Sequence, residues 1–335
     1  MEIVFFEINK KEKAYIKKSL SGYKLKFFEE KIEEVPLKEY KNSEIISPFI
    51  YSKINSKILN QLKKLKAVCT RSTGFDHIDI KEAKKKKIHV GNVPFYGENT
   101  VAEHTFALML NLSRKVHISY LRTKTNNFSH KDLVGFDLKG KTLGIIGVGH
   151  IGLHVIRIAK GFGLDVKAYD LNHDSFLSET LNFSYSNLDD LLKTSDIISL
   201  HMPLNKYTYH FLDKKKMSKM KKNVIIINTA RGELIDTNEL YTLLKKKLIG
   251  GVGLDVIEGE KYINCEEELL EDSNAKKKIY DLYRDEEIFR MENVIFTPHN
   301  AFNSIEAINR ILDTTIENIK EFRNNKKVKY PVNIH

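Results

Sequence analysis

The amino-acid sequence predicts an α/β protein of two domains built on parallel sheets. Short apolar runs alternate with longer lysine-rich amphipathic segments along almost the whole chain, which is the pattern of βαβ units. The length, 335 residues, corresponds to about two domains at roughly 150 residues each. The alternation breaks once, at Asn99–Tyr120, and a domain boundary is expected there.

Each element follows from local pattern. Glu2–Phe6 reads as a strand and Lys10–Leu20 as an amphipathic helix. Ile45–Ile50 and Leu65–Thr70 read as strands with helix Ser56–Leu62 between them, followed by helix Ile80–Lys87 and strand His89–Val93. Asn99–Tyr120 is long, apolar and helix-patterned, so it must be buried against more than one partner. The second domain then runs strand Thr142–Val148, helix Ile151–Gly161 and strand Asp165–Asp170. Strands Ile197–Met202 and Asn223–Asn228, helix Asp236–Lys246, and strands Gly250–Val256 and Val294–Thr297 come next, and helix Ile305–Phe322 follows. Lys261–Asn293 is an anomaly: charged, poor in Gly and Pro, and helical in period at Ile279, Leu282 and Tyr283.

Composition narrows the class. An apolar content of 41% with 10% aromatics supports a packed core and excludes a disordered polymer. Two cysteines, Cys69 and Cys265, are too few for a disulfide scaffold and fit no zinc spacing. They read as reduced thiols of a cytoplasmic protein, and no metal is expected. No stretch approaches the ~20 apolar residues of a membrane span, and the amino terminus lacks the order of a secretory signal. The +11 net charge leaves nucleic acid open. Its lysines, however, are dispersed through helices, with no basic patch interleaved with aromatics, so it reads as a solvated surface.

The sharpest motif is Gly147-Val-Gly149-His150-Ile151-Gly152, directly after an apolar strand and before a helix. The first glycine permits the tight turn, the second admits a pyrophosphate against the backbone, and the third lets helix and strand pack closely. Helix-start N–H groups then bind the diphosphate. The next strand ends at Asp170, the acid expected ~20 residues on, which accepts from ribose hydroxyls and repels a 2′-phosphate. NAD is favoured over NADP, since no arginine follows in Leu171–Ser175.

Three further segments follow strands: Asn228-Thr229-Ala230-Arg231-Gly232, Gly253–Val256 with Glu258-Gly259-Glu260, and Thr297-Pro298-His299-Asn300-Ala301. Ligands of open parallel sheets bind outside the carboxyl ends of the strands, so Arg231, Glu260 and His299 should gather near the glycine loop. These residue types suit hydride transfer to a 2-oxo acid. Arginine grips a carboxylate with two prongs, histidine supplies the alkoxide proton, and an acid fixes the imidazole tautomer. Glu258 offers the same group as Glu260 two residues earlier.

With these motifs in place, the chain resembles the D-2-hydroxyacid dehydrogenase family. The resemblance is carried by GIIGVGHIG, the following YD, HMPL, INTARGELID, GLDV and TPHNA. Upstream, TRSTGFDHIDI and NVPFYGENTVAEHTFALML match in the same order, so nearly the whole chain is covered. It implies a Rossmann-type doubly wound sheet for NAD, residues 101–299, inserted in a discontinuous flavodoxin-like substrate domain, residues 1–100 and 300–335. The implied catalytic set is Arg231, Glu260 and His299. His150, Ile151, Asp170, Met202, Pro203, Thr208, Thr229 and Ala230 would line the dinucleotide, with Asp255 at its carboxamide. Thr73 and Gly74 would hold the substrate carboxylate with Tyr96 nearby, and a homodimer is implied.

Within the family, a long charged insertion after Glu260 and the VPFY around Tyr96 resemble the D-lactate dehydrogenase branch, so pyruvate is the expected substrate. That branch commonly has two tyrosines shortly after the histidine, where this chain reads Ala301-Phe302-Asn303. Hydroxypyruvate, 2-oxoisocaproate or phenylpyruvate therefore stay open as substrates. A dinucleotide-sensing corepressor-like binding protein is the non-enzymatic alternative, but such a sensor has no need of a His–Glu pair.

Overall fold

The computed structural model describes residues 1–260 and 275–332, with no side chains described between 275 and 278. Cys265 and the first part of the insertion lie outside the described residues. The chain divides into two compact units, Met1–Tyr96 with Ser304–His335, and Gly97–Asn303. The crossings at 96/97 and 303/304 lie four residues from the expected 100/101 and 299/300. Both fall at helix starts, since Gly97 precedes helix Glu98–Arg114 and Ser304 caps helix Ile305–Asn325.

The first unit holds five parallel strands: β1 (Glu2–Phe5), β2 (Lys24–Phe27), β3 (Ile45–Ser47), β4 (Ala67–Cys69) and β5 (His89–Gly91). Their order, β2-β1-β3-β4-β5, is the flavodoxin-like arrangement. Strand side chains alternate between faces, so one core takes Val4, Ile46, Val68 and Val90 while the other takes Ile3, Phe5, Ile45, Ala67 and Cys69. Helix Ile305–Asn325 adds Leu312, Ile316, Ile319 and Phe322 to the second core. Helix starts are set by side chains: Asn9 accepts from Lys11 and Glu12 amides in a capping box with Glu12, and Asp79 accepts from the Glu82 amide. β2 was not expected from the sequence, and β3 ends three residues before Ile50 because Pro48 cannot donate to the ladder.

The second unit holds seven parallel strands. They are β6 (Thr142–Ile146), β7 (Asp165–Tyr169), β8 (Ser184–Tyr185), β9 (Ile197–Leu200), β10 (Val224–Asn228), β11 (Ile249–Leu254) and β12 (Val294–Phe296). Their order is β12-β11-β10-β9-β6-β7-β8, the doubly wound arrangement with its reversal between β6 and β9. The central strands β6, β9 and β10 are apolar on both faces because helices cover both. Ile146, Ile198, Ile226 and Val252 pack on one side, and Leu143, Ile145, Ile197, Ile225 and Ile227 on the other.

Two expectations are corrected in this unit. Asn99–Tyr120 is not one helix: helix Glu98–Arg114 ends where Lys115 turns left-handed (φ 51), and Val116–Lys124 starts anew. In the insertion, helix Ala275–Phe289 exists, but Ile279 and Tyr283 stand exposed. Its buried face is Arg284, Asp285 and Ile288, with the Arg284 guanidinium bonded to Asp285, Asp281 and Asn238. Among the described residues no helix is long and apolar enough to cross a membrane, and no group of His, Cys, Asp and Glu could hold a metal.

Candidate active site

The site is assembled from loops at the carboxyl ends of the large sheet, beginning at the reversal point after β6. Gly147 has φ +99, and an added side-chain carbon there would stand 2.7 Å from the His201 carbonyl. At Gly152 that carbon would stand 2.2 Å from the Gly147 oxygen, so only glycine lets the helix approach the turn. At Gly149 it would meet no heavy atom within 4 Å. The first and third glycines are thus required by packing, and the second opens onto space at the start of helix His150–Gly161, where the first-turn N–H groups lack helical partners. These residues fit a dinucleotide diphosphate. His150 is exposed and Ile151 half-buried on that first turn.

Asp170, at the end of β7, accepts from the Val148 amide at 2.6 Å and from the Asn172 amide at 3.0 Å. The carboxylate therefore ties the strand end to the glycine turn as well as standing where a ribose is expected. After β9 comes the loop of Met202, Pro203 and Thr208. The Thr208 hydroxyl donates to the Pro203 carbonyl at 2.7 Å and accepts from the Asn205 amide at 2.7 Å, which closes the loop on itself.

His201, at the head of that loop, is desolvated and bonded to the Ser199 hydroxyl at 2.8 Å. Desolvation lowers its pKa from the ordinary 6.5 to about 3. In the unfolded chain the same imidazole charges near 6.5, so between pH 6.5 and 3 the unfolded state binds the extra proton. The second unit should then lose up to ~1.4 kcal/mol of stability per pH unit as pH falls through that window. His77, lowered by burial to about 4, does the same for the first unit from pH 6.5 down. Urea unfolding at pH 7 and pH 5 measures this: His201→Asn should flatten the pH slope, and a slope equal to the parent's would contradict it.

After β10, Asn228 organises the next loop. Its side chain donates to the Arg231 carbonyl at 2.8 Å and accepts from the Ala230 amide at 3.0 Å. Thr229 is buried, its hydroxyl 3.1 Å from that of Thr105. The half-buried Arg231 guanidinium donates to the Ala230 carbonyl at 2.7 Å. A carbon at Gly232 would come within 2.0 Å of the Ile257 carbonyl carbon, so this loop lies directly against the one after β11.

That neighbouring loop separates the two glutamates. Glu260 Oε1 lies 2.7 Å from His299 Nδ1, whereas Glu258 Oε1 lies 2.9 Å from His210 Nε2 and 3.1 Å from the Tyr209 hydroxyl. His299 has a left-handed backbone, φ 50, which a residue with a side chain adopts only when its surroundings hold it there. Asp255 does so. Its carbonyl accepts from the His299 amide at 2.9 Å, and its carboxylate accepts from the Asn300 and Ala301 amides at 2.8 Å and from the Thr297 hydroxyl. Those bonds and His104 hold the Asp255 carboxyl below the usual carboxylate range against its burial. The side chain expected at the cofactor carboxamide is thus fully buried beneath the histidine turn.

Thr73, Gly74 and Tyr96 belong to the first unit. The Thr73 hydroxyl donates to the Val93 carbonyl at 2.7 Å, the Gly74 carbonyl accepts from Ser72 Oγ at 2.6 Å, and the Tyr96 carbonyl accepts from Arg310 Nε at 2.6 Å. Sequence reasoning missed Asn228, Thr297, His104 and His210. Asn228 carried a signal, since an asparagine at a strand end favours local backbone bonding.

The chain is similar to known proteins along nearly its whole length. Residues 106–301 match the model of a family described as D-isomer specific 2-hydroxyacid dehydrogenase, NAD binding domain. The chain is 36% identical over 330 residues to a 2-hydroxyacid dehydrogenase homolog of Haemophilus influenzae, covering 97% of each. It is 35% identical over 326 residues to the D-lactate dehydrogenase of Escherichia coli, covering 95% of this chain and 96% of that one. Among solved structures, the D-lactate dehydrogenase of Aquifex aeolicus complexed with NAD and lactic acid has a TM-score of 0.84 and 36% identity, covering 96% of this chain and 95% of that one.

Proposed function

This chain belongs to the D-isomer specific 2-hydroxyacid dehydrogenase family, and on that premise we propose that it reduces pyruvate to D-lactate with NADH. The observation that carries the reading is the Glu260–His299 pair at 2.7 Å, in the same unit as the Arg231 loop and the glycine turn. A protein that only sensed dinucleotide would have no use for that pair. Bound NADH supplies the hydride for C2 of the oxo acid. Arg231 grips the carboxylate through its fork of N–H donors. His299 donates Nδ1–H to Glu260, and its Nε2 is the nitrogen that delivers a proton to the C2 oxygen. Thr73, Gly74 and Tyr96 enter the same proposal as substrate-binding residues, on the resemblance to the family. Asp170 favours NADH over NADPH by repelling a 2′-phosphate.

The similarity to D-lactate dehydrogenases supports pyruvate, and Phe302 and Asn303 favour a second reading with a larger 2-oxo acid. A homodimer belongs to the same proposal. Helix Val116–Lys124 buries none of its residues, its Tyr120 and Leu121 stand exposed, and so do Phe128 and Val134 after it. The test is a steady-state panel of pyruvate, hydroxypyruvate, 2-oxoisocaproate and phenylpyruvate with NADH and NADPH. It is run on a column peak whose light-scattering mass reads one chain or two. Pyruvate with NADH should give the highest kcat/KM, with NADPH at least ~10-fold poorer. A clear preference for hydroxypyruvate, 2-oxoisocaproate or phenylpyruvate overturns the substrate assignment.

A further inference from the structure

The loop after β11 carries two glutamates, and each meets a histidine with a left-handed backbone. His299, φ 50, meets Glu260, and His210, φ 47, meets Glu258. Only the first pair has a place in the proposed chemistry. The second is too well built to be incidental: the Tyr209 hydroxyl adds a bond to Glu258 at 3.1 Å, and the Tyr209 and His210 rings stack at 4.0 Å.

The backbone shows what the second pair joins. The His210 amide donates to the Glu233 carbonyl at 2.8 Å, Leu212 to Leu234 at 2.9 Å, and Asp236 back to Leu212 at 3.1 Å. This stretch is therefore laced to the residues that follow Arg231. On its other side, Gly232 lies against Ile257 and Glu258, where an added carbon would stand 2.0 and 2.3 Å from their backbone atoms. The Arg231–Leu234 segment is thus held between the His210 loop and the Glu258 loop. The imidazole–carboxylate contact closes that ring from one loop to the other.

We propose that His210 and Glu258 are a positioning pair for Arg231, fixing where the guanidinium stands when it takes the substrate carboxylate. This rests on the reading of Arg231 as that grip. Breaking the pair loosens the ring without touching the hydride or proton path, so substrate affinity suffers and the chemical step does not.

Glu258→Ala and His210→Ala should each raise KM for pyruvate about 10-fold while kcat stays within about 2-fold and the Kd of NADH is unchanged. The double variant should be no worse than either single one, because one contact is lost in all three. Glu258→Gln retains an acceptor oxygen and should recover most of the loss, which bulk destabilisation would not produce. Independently of turnover, phenylglyoxal should modify Arg231 several-fold faster in both alanine variants, read by peptide mass. Parent-like KM and parent-like Arg231 modification in both variants overturn the proposal. If instead Arg231→Lys leaves 2-oxo acid reduction intact, the proposed grip is what fails, and the modification rate still decides whether the pair positions Arg231.

Discussion

Replacing His299 by alanine should leave NADH binding in place and lower kcat by about 10²- to 10⁴-fold, the usual contribution of a positioned proton donor. The glycine turn and Asp170 make no contact that depends on the imidazole. The 297–301 turn is held from below by the Asp255 carbonyl and carboxylate, which survive the substitution. Alanine does carry a backbone cost, since φ 50 is a conformation in which histidine and asparagine are enriched several-fold and alanine is not. Asparagine tolerates that conformation better, so His299→Asn separates the two effects. Both variants should be equally slow, with the asparagine variant melting closer to the parent. Fluorescence titration of NADH and steady-state kinetics provide the check. Undiminished turnover in either variant removes His299 from the mechanism.

Arg231→Lys should lower kcat/KM for the oxo acid by about 10²- to 10³-fold, mostly through KM. A lysine offers one compact ammonium where the guanidinium offers a planar fork. Losing a bidentate, charge-assisted pair costs about 3–4 kcal/mol, which is that range in affinity. In this fold the loss is compounded, because Arg231 also donates to its neighbour's carbonyl at 2.7 Å. One ammonium cannot hold both directions. The loop itself should persist, since Asn228 and the close approach at Gly232 hold it through backbone. Substrate use equal to the parent's would show that the carboxylate is anchored elsewhere.

The features legible in the sequence were those whose cause is local. The three glycines of the turn have local causes: a φ of +99, an open approach and a 2.2 Å clearance. Helix starts at Asn9, Asp79 and Asp236 are likewise set by side chains within three residues. What the sequence hid depends on distant partners. β2 alternates lysine with apolar residues, as an edge strand does, and so resembled loop. The break at Lys115 interrupts an unbroken apolar period with a residue that is no helix breaker. Glu258 and Glu260 have the same chemistry at neighbouring positions, and only the remote His210 and His299 distinguish them. Asp255 is expected at the cofactor carboxamide, and nothing nearby in sequence tells that its carboxylate also accepts from the amides of Asn300 and Ala301.

The nesting of one unit inside the other also sets a schedule for synthesis. Gly97–Asn303 is continuous and can complete its sheet as soon as β12 has left the ribosome. The first unit emerges earlier yet must wait, because one of its two cores lacks Leu312, Ile316, Ile319 and Phe322 until the helix from Ile305 has been made. Its five strands are all translated by Gly91. The earliest-born part of the chain is therefore the last to mature, and a nascent chain stalled between them would carry a finished dinucleotide unit and a sheet with one face only partly covered.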